Sequence, residues 1–140
     1  MSLNIKEKYG LLINNEWVPA SDGAEFAVYN PANGDQLAIC AEATQADVDK
    51  AVEVATEAFK TWKHVSQVDR ADYLLKIADA IDAHKEHLAQ VETYDNGKPI
   101  RETLNVDIPL GADHFRYFAG VLRAEEGSAQ VFDENTLRLV

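Results

Sequence analysis

The chain has 140 residues, 24 acidic against 13 basic, with a formal net charge of -11 and a pI near 4.6. Its 46% apolar content is enough to build the core of one ordinary domain, so disorder is not the default. No basic stripe offers itself to a phosphate backbone and no apolar run approaches the roughly 20 residues that span a bilayer, so neither nucleic acid nor a membrane is an expected partner.

The N-terminal "MSLNIKEKYG" has neither the apolar core of a signal peptide nor an Arg-rich transit pattern, and a cytoplasmic setting is expected. "YGLLINNEWVPA" then predicts a hairpin: Leu11 to Ile13 extended, Asn14 and Asn15 at the turn, Trp17 and Val18 returning. Asparagine tolerates the positive φ that a two-residue turn requires. After "ASDGAE" the pattern repeats, with Phe26 to Tyr29 extended, Asn30 to Gly34 turning and Leu37 to Cys40 extended again.

The period next changes from two to 3.6. In "TQADVDKAVEVATEAFKTWK", Val48, Val52, Ala55, Phe59 and Trp62 share one face, and Thr44 with Asp47 forms a capping box. "SQVDRADYLLKIADAIDAHKEHLAQVETY" restarts with Ser66 as cap and Leu74, Ile77, Ala78, Ile81, Leu88 and Val91 as its stripe. The two are expected to form a helical hairpin joined near Lys63 to Val65. Pro99 can open a further helical stretch, Asp107 and Pro109 look like a second start, and Gly127 is expected to end it. "SAQVFDENTLRLV" reverts to alternation as a last strand pair, and it stops in mid-strand, as a piece of a longer protein would. The fold class expected is α/β: hairpins over about 10–41, helices over about 44–126, and a closing β-hairpin.

Chemistry has few candidates. Cys40 is the single cysteine, so no internal disulfide or cysteine metal set can form, and no neighbouring His or Lys activates it. His84 and His87 occur as "HKEH", not the His-Glu-x-x-His of a zincin, and belong on an exposed face. His114, among aromatics in "ADHFRYFAG", reads as a packed, partly buried residue. "DNGK" fails as a phosphate loop, with Glu92 and Pro99 where glycine and Ser or Thr are required, and no G-x-G-x-x-G occurs.

"YDNGKP" is otherwise an adequate helix stop. Asn96-Gly97 can take the left-handed conformation, Lys98 can complement the C-terminal dipole, and Pro99 forbids continuation. Asp95 alone resists this account, since a carboxylate in a last helical turn opposes the dipole and calls for a cation, a lysine or a backbone N–H.

"INNEWVPA", "YNPANGDQLA", "ATQADVDKAVEVATEAFKTW", "VETYDNGKPI" and "DHFRYFAG", in this order and spacing, resemble the N-terminal part of the NAD(P)-dependent aldehyde dehydrogenase superfamily. The resemblance implies a much larger, oligomeric enzyme that oxidises a small-molecule aldehyde with NAD or NADP through a cysteine thiohemiacetal. Residues 1–127 would begin its Rossmann-like cofactor-binding domain and 128–140 its oligomerisation arm. The nucleophile, general base and cofactor loop would lie beyond Val140, leaving this chain inactive alone. The resemblance also assigns Asp95 and the carbonyl of Val28 to a monovalent cation, Na or K, and Val106 and Leu110 to the substrate tunnel. A stand-alone acidic helical-hairpin module, binding or structural, is the alternative.

Overall fold

A computed structural model describes residues 4–139, so Val140, the last residue of the expected arm, lies outside the described residues. Strands β2 (Leu11–Ile13) and β3 (Glu16–Val18) form the expected hairpin, pairing Leu11 with Val18 and Ile13 with Glu16. Asn14 and Asn15 both take positive φ, 54° and 61°, the conformation of a tight primed turn. β4 (Glu25–Tyr29) and β5 (Gln36–Ala41) are likewise antiparallel. A short strand missed in the sequence, β1 (Lys8–Tyr9), adds in parallel to the other side of β5 and gives a three-stranded mixed sheet. Two residues are too few for an alternation signal, and the sheet edge recruits them.

Helix α1 (Gln45–Trp62) carries the predicted capping box at Thr44 and Asp47. Its N-terminus is also tied to the preceding turn, where the Ser21 N–H donates to both Asp47 carboxylate oxygens at 3.1 and 3.2 Å. The long second helix of the sequence reading is two helices, α2 (Gln67–Ala83) and α3 (Lys85–Asn96). His84 breaks the helical dihedrals at φ -110°, ψ 13°, yet still accepts the Leu88 N–H at 3.0 Å, so the stripe runs on with a change of direction. The third stretch is α4 (Ile100–Glu102), a π-helical segment (Thr103–Asp107) and α5 (Ile108–Ala124). Asp107 is helical, so the expected second start is a widened turn: Ile108 donates to the carbonyl of Thr103 five residues back, and Pro109 brings no N–H of its own. α5 stops at Ala124, short of Gly127. β6 (Ala129–Asp133) and β7 (Thr136–Leu139) form the expected closing hairpin.

The partner of α2 is α5 more than α1. They run antiparallel, with Ala71 and Ala78 of α2 and Ala112 and Ala119 of α5 all at 0–1% exposure, a small-residue seam that lets the backbones approach. Polar pairs flank it: Gln67 with Glu125, Asp72 with Arg123, and Asp79 and Asp82 with Arg116 at 2.9 and 2.7 Å. Those two carboxylates hold the Arg116 guanidinium above its ordinary pKa. α1 meets α2 through the Trp62 and Tyr73 rings, 5.4 Å apart, beside their connection. Apart from that contact the stripe of α1 is largely open among the described residues: Val48, Val52, Phe59 and Trp62 are 41–60% exposed.

Candidate functional site

The site grows from the end of α3. The Gly97 N–H returns to the Thr93 carbonyl at 2.9 Å, and Gly97 itself lies at φ 77°, ψ 7°, the left-handed cap that only glycine adopts without strain. Asn96 reinforces the turn by accepting the Lys98 N–H at 2.8 Å. Pro99 then starts the next stretch, its carbonyl accepting from Glu102 at 2.9 Å. These are the structural jobs expected of the run.

Lys98 behaves differently from expectation. Its ammonium forms an ion pair with Asp107 of the π-helical segment, which holds the lysine above its ordinary pKa. A full carboxylate charge at contact outweighs the fractional charge of a helix end. The Asp107 oxygen in this pair is sealed from solvent and has no well-aligned hydrogen bond, so the Lys98 charge is its compensation.

Asp95 is exposed, and its carboxylate meets no hydrogen-bond donor or base among the described residues. It lines a small cavity of about 140 Å³ whose other walls include Val28, Tyr9, Leu37, Cys40 and Tyr94. Val28 and Asp95 are thus brought together from β4 and α3. The ladder is irregular beside Val28, which faces Ala38 while Tyr29 faces Gln36, leaving Leu37 without a partner opposite. Among the described residues no three His, Cys, Asp or Glu side chains gather to hold a metal, so an ion beside Asp95 would need backbone oxygens.

The loop "NPANG" packs against this turn. Asn30 is buried and accepts the Ala32 N–H at 2.9 Å, and a Cβ on Gly97 would lie 3.0 Å from Cγ of Pro31. A cleft of about 520 Å³ runs between Asn30–Asn33 and the end of α3.

Val106 lies in the π-helical segment and Leu110 one turn on in α5, each 48% exposed. They flank Asp107. His84 and His87 are exposed as expected, whereas His114 is exposed instead of packed, at the rim of a shallow apolar hollow with Leu74, Phe115 and Phe118. Cys40 is half-buried in β5 opposite Phe26 and Tyr9.

Thr103 went unnoticed in the sequence. It is fully buried, and its hydroxyl lies 3.0 Å from the Ala89 carbonyl, 3.2 Å from that of Ile100 and 2.9 Å from the Thr93 hydroxyl. A threonine on a stretch read as helix carries no sign of such burial.

The aldehyde dehydrogenase family model matches residues 17–140. The chain is 47% identical over 135 residues to an acetaldehyde dehydrogenase of Pseudomonas aeruginosa, covering 96% of this chain and 27% of the relative. An aldehyde dehydrogenase of Bacillus cereus solved as its NAD+ complex superposes with a TM-score of 0.91 at 35% identity, over 99% of this chain and 30% of that one. An NAD-dependent aldehyde dehydrogenase of Sinorhizobium meliloti gives 0.89 at 34% identity, over 98% and 28%. The chain spans little more than a quarter of the curated relative it matches. Sequence and architecture agree along the whole described length, and the chain belongs to the aldehyde dehydrogenase family.

Proposed function

We propose that these residues are the N-terminal part of an aldehyde dehydrogenase, residues 1–127 beginning its cofactor-binding domain and 128–140 its oligomerisation arm. The full protein would oxidise a small-molecule aldehyde to the acid, a cysteine outside this chain forming the thiohemiacetal and NAD or NADP taking up the hydride. The observation that carries this is the 47% identity, over nearly the whole chain, to a relative named as an acetaldehyde dehydrogenase.

Among the described residues no glycine-rich turn precedes a helix, and the N-termini of α1 and α2 are closed by their own Thr44 and Ser66 caps. In this reading the chain would support the site, and the remainder of the protein would carry the chemistry. Cys40, set in the sheet between Phe26 and Tyr9, is not assigned as nucleophile.

Three further assignments belong to this reading. A monovalent cation would sit beside Asp95 and the Val28 carbonyl, supported by the cavity the two residues share and by a carboxylate with no other partner among the described residues. Val106 and Leu110 would line the substrate tunnel and favour an aliphatic aldehyde. The bare faces of α1 and the closing hairpin would be covered by the remainder of the protein and by a second subunit, in a cytoplasmic homo-oligomer. Among the described residues no helix is long and apolar enough to cross a membrane.

The test is NADH formation from acetaldehyde. The full-length protein should turn over and residues 1–140 alone should not; turnover by the short chain, or none by the long one with any aldehyde and either dinucleotide, overturns the reading.

A further inference from the structure

The π-helical segment Thr103–Asp107 is held at both ends from the stretch around the end of α3. At its start, the buried Thr103 hydroxyl engages the Ala89 carbonyl at 3.0 Å and the Thr93 hydroxyl at 2.9 Å. At its end, the solvent-sealed Asp107 carboxylate oxygen is met by the Lys98 ammonium. Within it, Asn105 donates from Nδ2 to the Arg101 carbonyl at 2.9 Å. Pro109, just beyond, resists relaxation to a regular ladder, because its ring would press on the carbonyl of residue 105. Widened turns of this kind change the angular setting of the side chains after them, and they persist where surrounding contacts hold them.

Val106 and Leu110 stand on either side of the clamped Asp107. We propose that Lys98 is a specificity-determining positioning residue: by holding Asp107 it sets the rotation of the π-helical segment, and with it the width that Val106 and Leu110 leave for the aldehyde. This rests on the assignment of those two residues to the substrate tunnel. Lys98 makes no contact with the aldehyde and acts only through Asp107. Losing the pair leaves the sealed Asp107 oxygen without its counter-charge, and the segment turns to bring more of that carboxylate, whose side chain is 23% exposed, to water. The change falls on substrate fit rather than on chemistry.

The experiment compares Lys98→Met, Lys98→Arg and Asp107→Asn in the full-length enzyme, with Val106→Phe as a probe of the tunnel itself. Straight-chain aldehydes from acetaldehyde to octanal are assayed, with the KM for the dinucleotide measured alongside. Lys98→Met and Asp107→Asn should each shift the ratio of kcat/KM for octanal over acetaldehyde by about tenfold, mostly through KM, while the dinucleotide KM stays put. Lys98→Arg should restore the wild-type ratio. If Val106→Phe moves the ratio and neither Lys98→Met nor Asp107→Asn does, the positioning role is wrong and the tunnel assignment stands. If none of the three moves it, the tunnel assignment falls and takes the proposal with it. An equal loss on every aldehyde marks Lys98 as merely structural and also overturns the proposal. Should Lys98→Met fail to fold by its melting curve, Asp107→Asn, which keeps the side-chain shape, decides alone.

Discussion

The hydroxyl of Thr103 lies 3.0 Å from the carbonyl oxygen of Ala89, joining the π-helical segment to the middle of α3 inside the protein. Thr103→Val keeps the shape and deletes the donor, so that the Ala89 carbonyl, inside α3, and the half-buried Thr93 hydroxyl each lose this side-chain partner. We expect a loss of about 1–3 kcal/mol in urea unfolding. Thr103→Ser, which retains the hydroxyl, should lose clearly less. Equal losses would mean that the methyl group, and not the hydrogen bond, holds the segment.

Gly97 and Gly34 have nearly the same positive φ, 77° and 79°, but different surroundings. A Cβ at Gly34 would meet nothing within 4 Å, whereas one at Gly97 would meet Pro31 Cγ at 3.0 Å. Gly34→Ala should cost the left-handed strain alone, about 1 kcal/mol. Gly97→Ala should cost more, because Pro31 must also give way. The two melting temperatures, measured side by side, test the difference.

The cap of α1 predicts a pH dependence. Asp47 is held below its ordinary carboxylate pKa, first by the backbone N–H of Thr44 and then by that of Ser21. A carboxyl depressed in the folded state binds protons more readily when unfolded, so its contribution is fully present above the ordinary value of 3.8 and is lost as pH falls through the folded pKa. The stability gap between the wild type and Asp47→Asn should therefore be widest near neutrality and close on acidification. Thr44→Ala should cost about 1 kcal/mol at neutral pH.

Asp95 predicts a crossing. Without a cation its carboxylate opposes the dipole of α3 and has no other compensation among the described residues, so Asp95→Asn in the full-length protein should be as stable as the wild type or slightly more so in choline buffer. Added sodium or potassium should stabilise the wild type and leave the variant unmoved. A salt-independent melting temperature in both proteins would remove the cation from this position.

Much of the local structure was legible in the sequence, because it follows from short-range chemistry. Asn14-Asn15, the Thr44 to Asp47 box, the Ser66 cap and the Gly97 stop each depend on residues a few positions apart. What was not legible depends on distant neighbours. The pairing of β1 needs the edge of β5, the preference of α2 for α5 needs a seam of alanines that propensity does not distinguish from helix filler, and the Lys98 to Asp107 pair needs the widened turn that brings Asp107 round. At the site, Asp95 could be marked as uncompensated from its position alone, and Val28 followed only from resemblance. That the two line one cavity is a matter of fold.

The alanine seam between α2 and α5 also bears on how this chain can vary. Ala71 and Ala78 are spaced by one heptad, as are Ala112 and Ala119, and all four are sealed. Of the residues reachable from an alanine codon by one base change, valine, threonine, aspartate and glutamate add volume where there is none, proline breaks the helix, and glycine loosens it by about 1 kcal/mol. Serine is the one replacement the seam should absorb. In a saturation library of the full-length protein, these four positions should emerge nearly as intolerant as functional ones, although each is only an alanine sealed in the helix seam. A mutational scan read without the structure would mistake this strip of inert methyl groups for an active site.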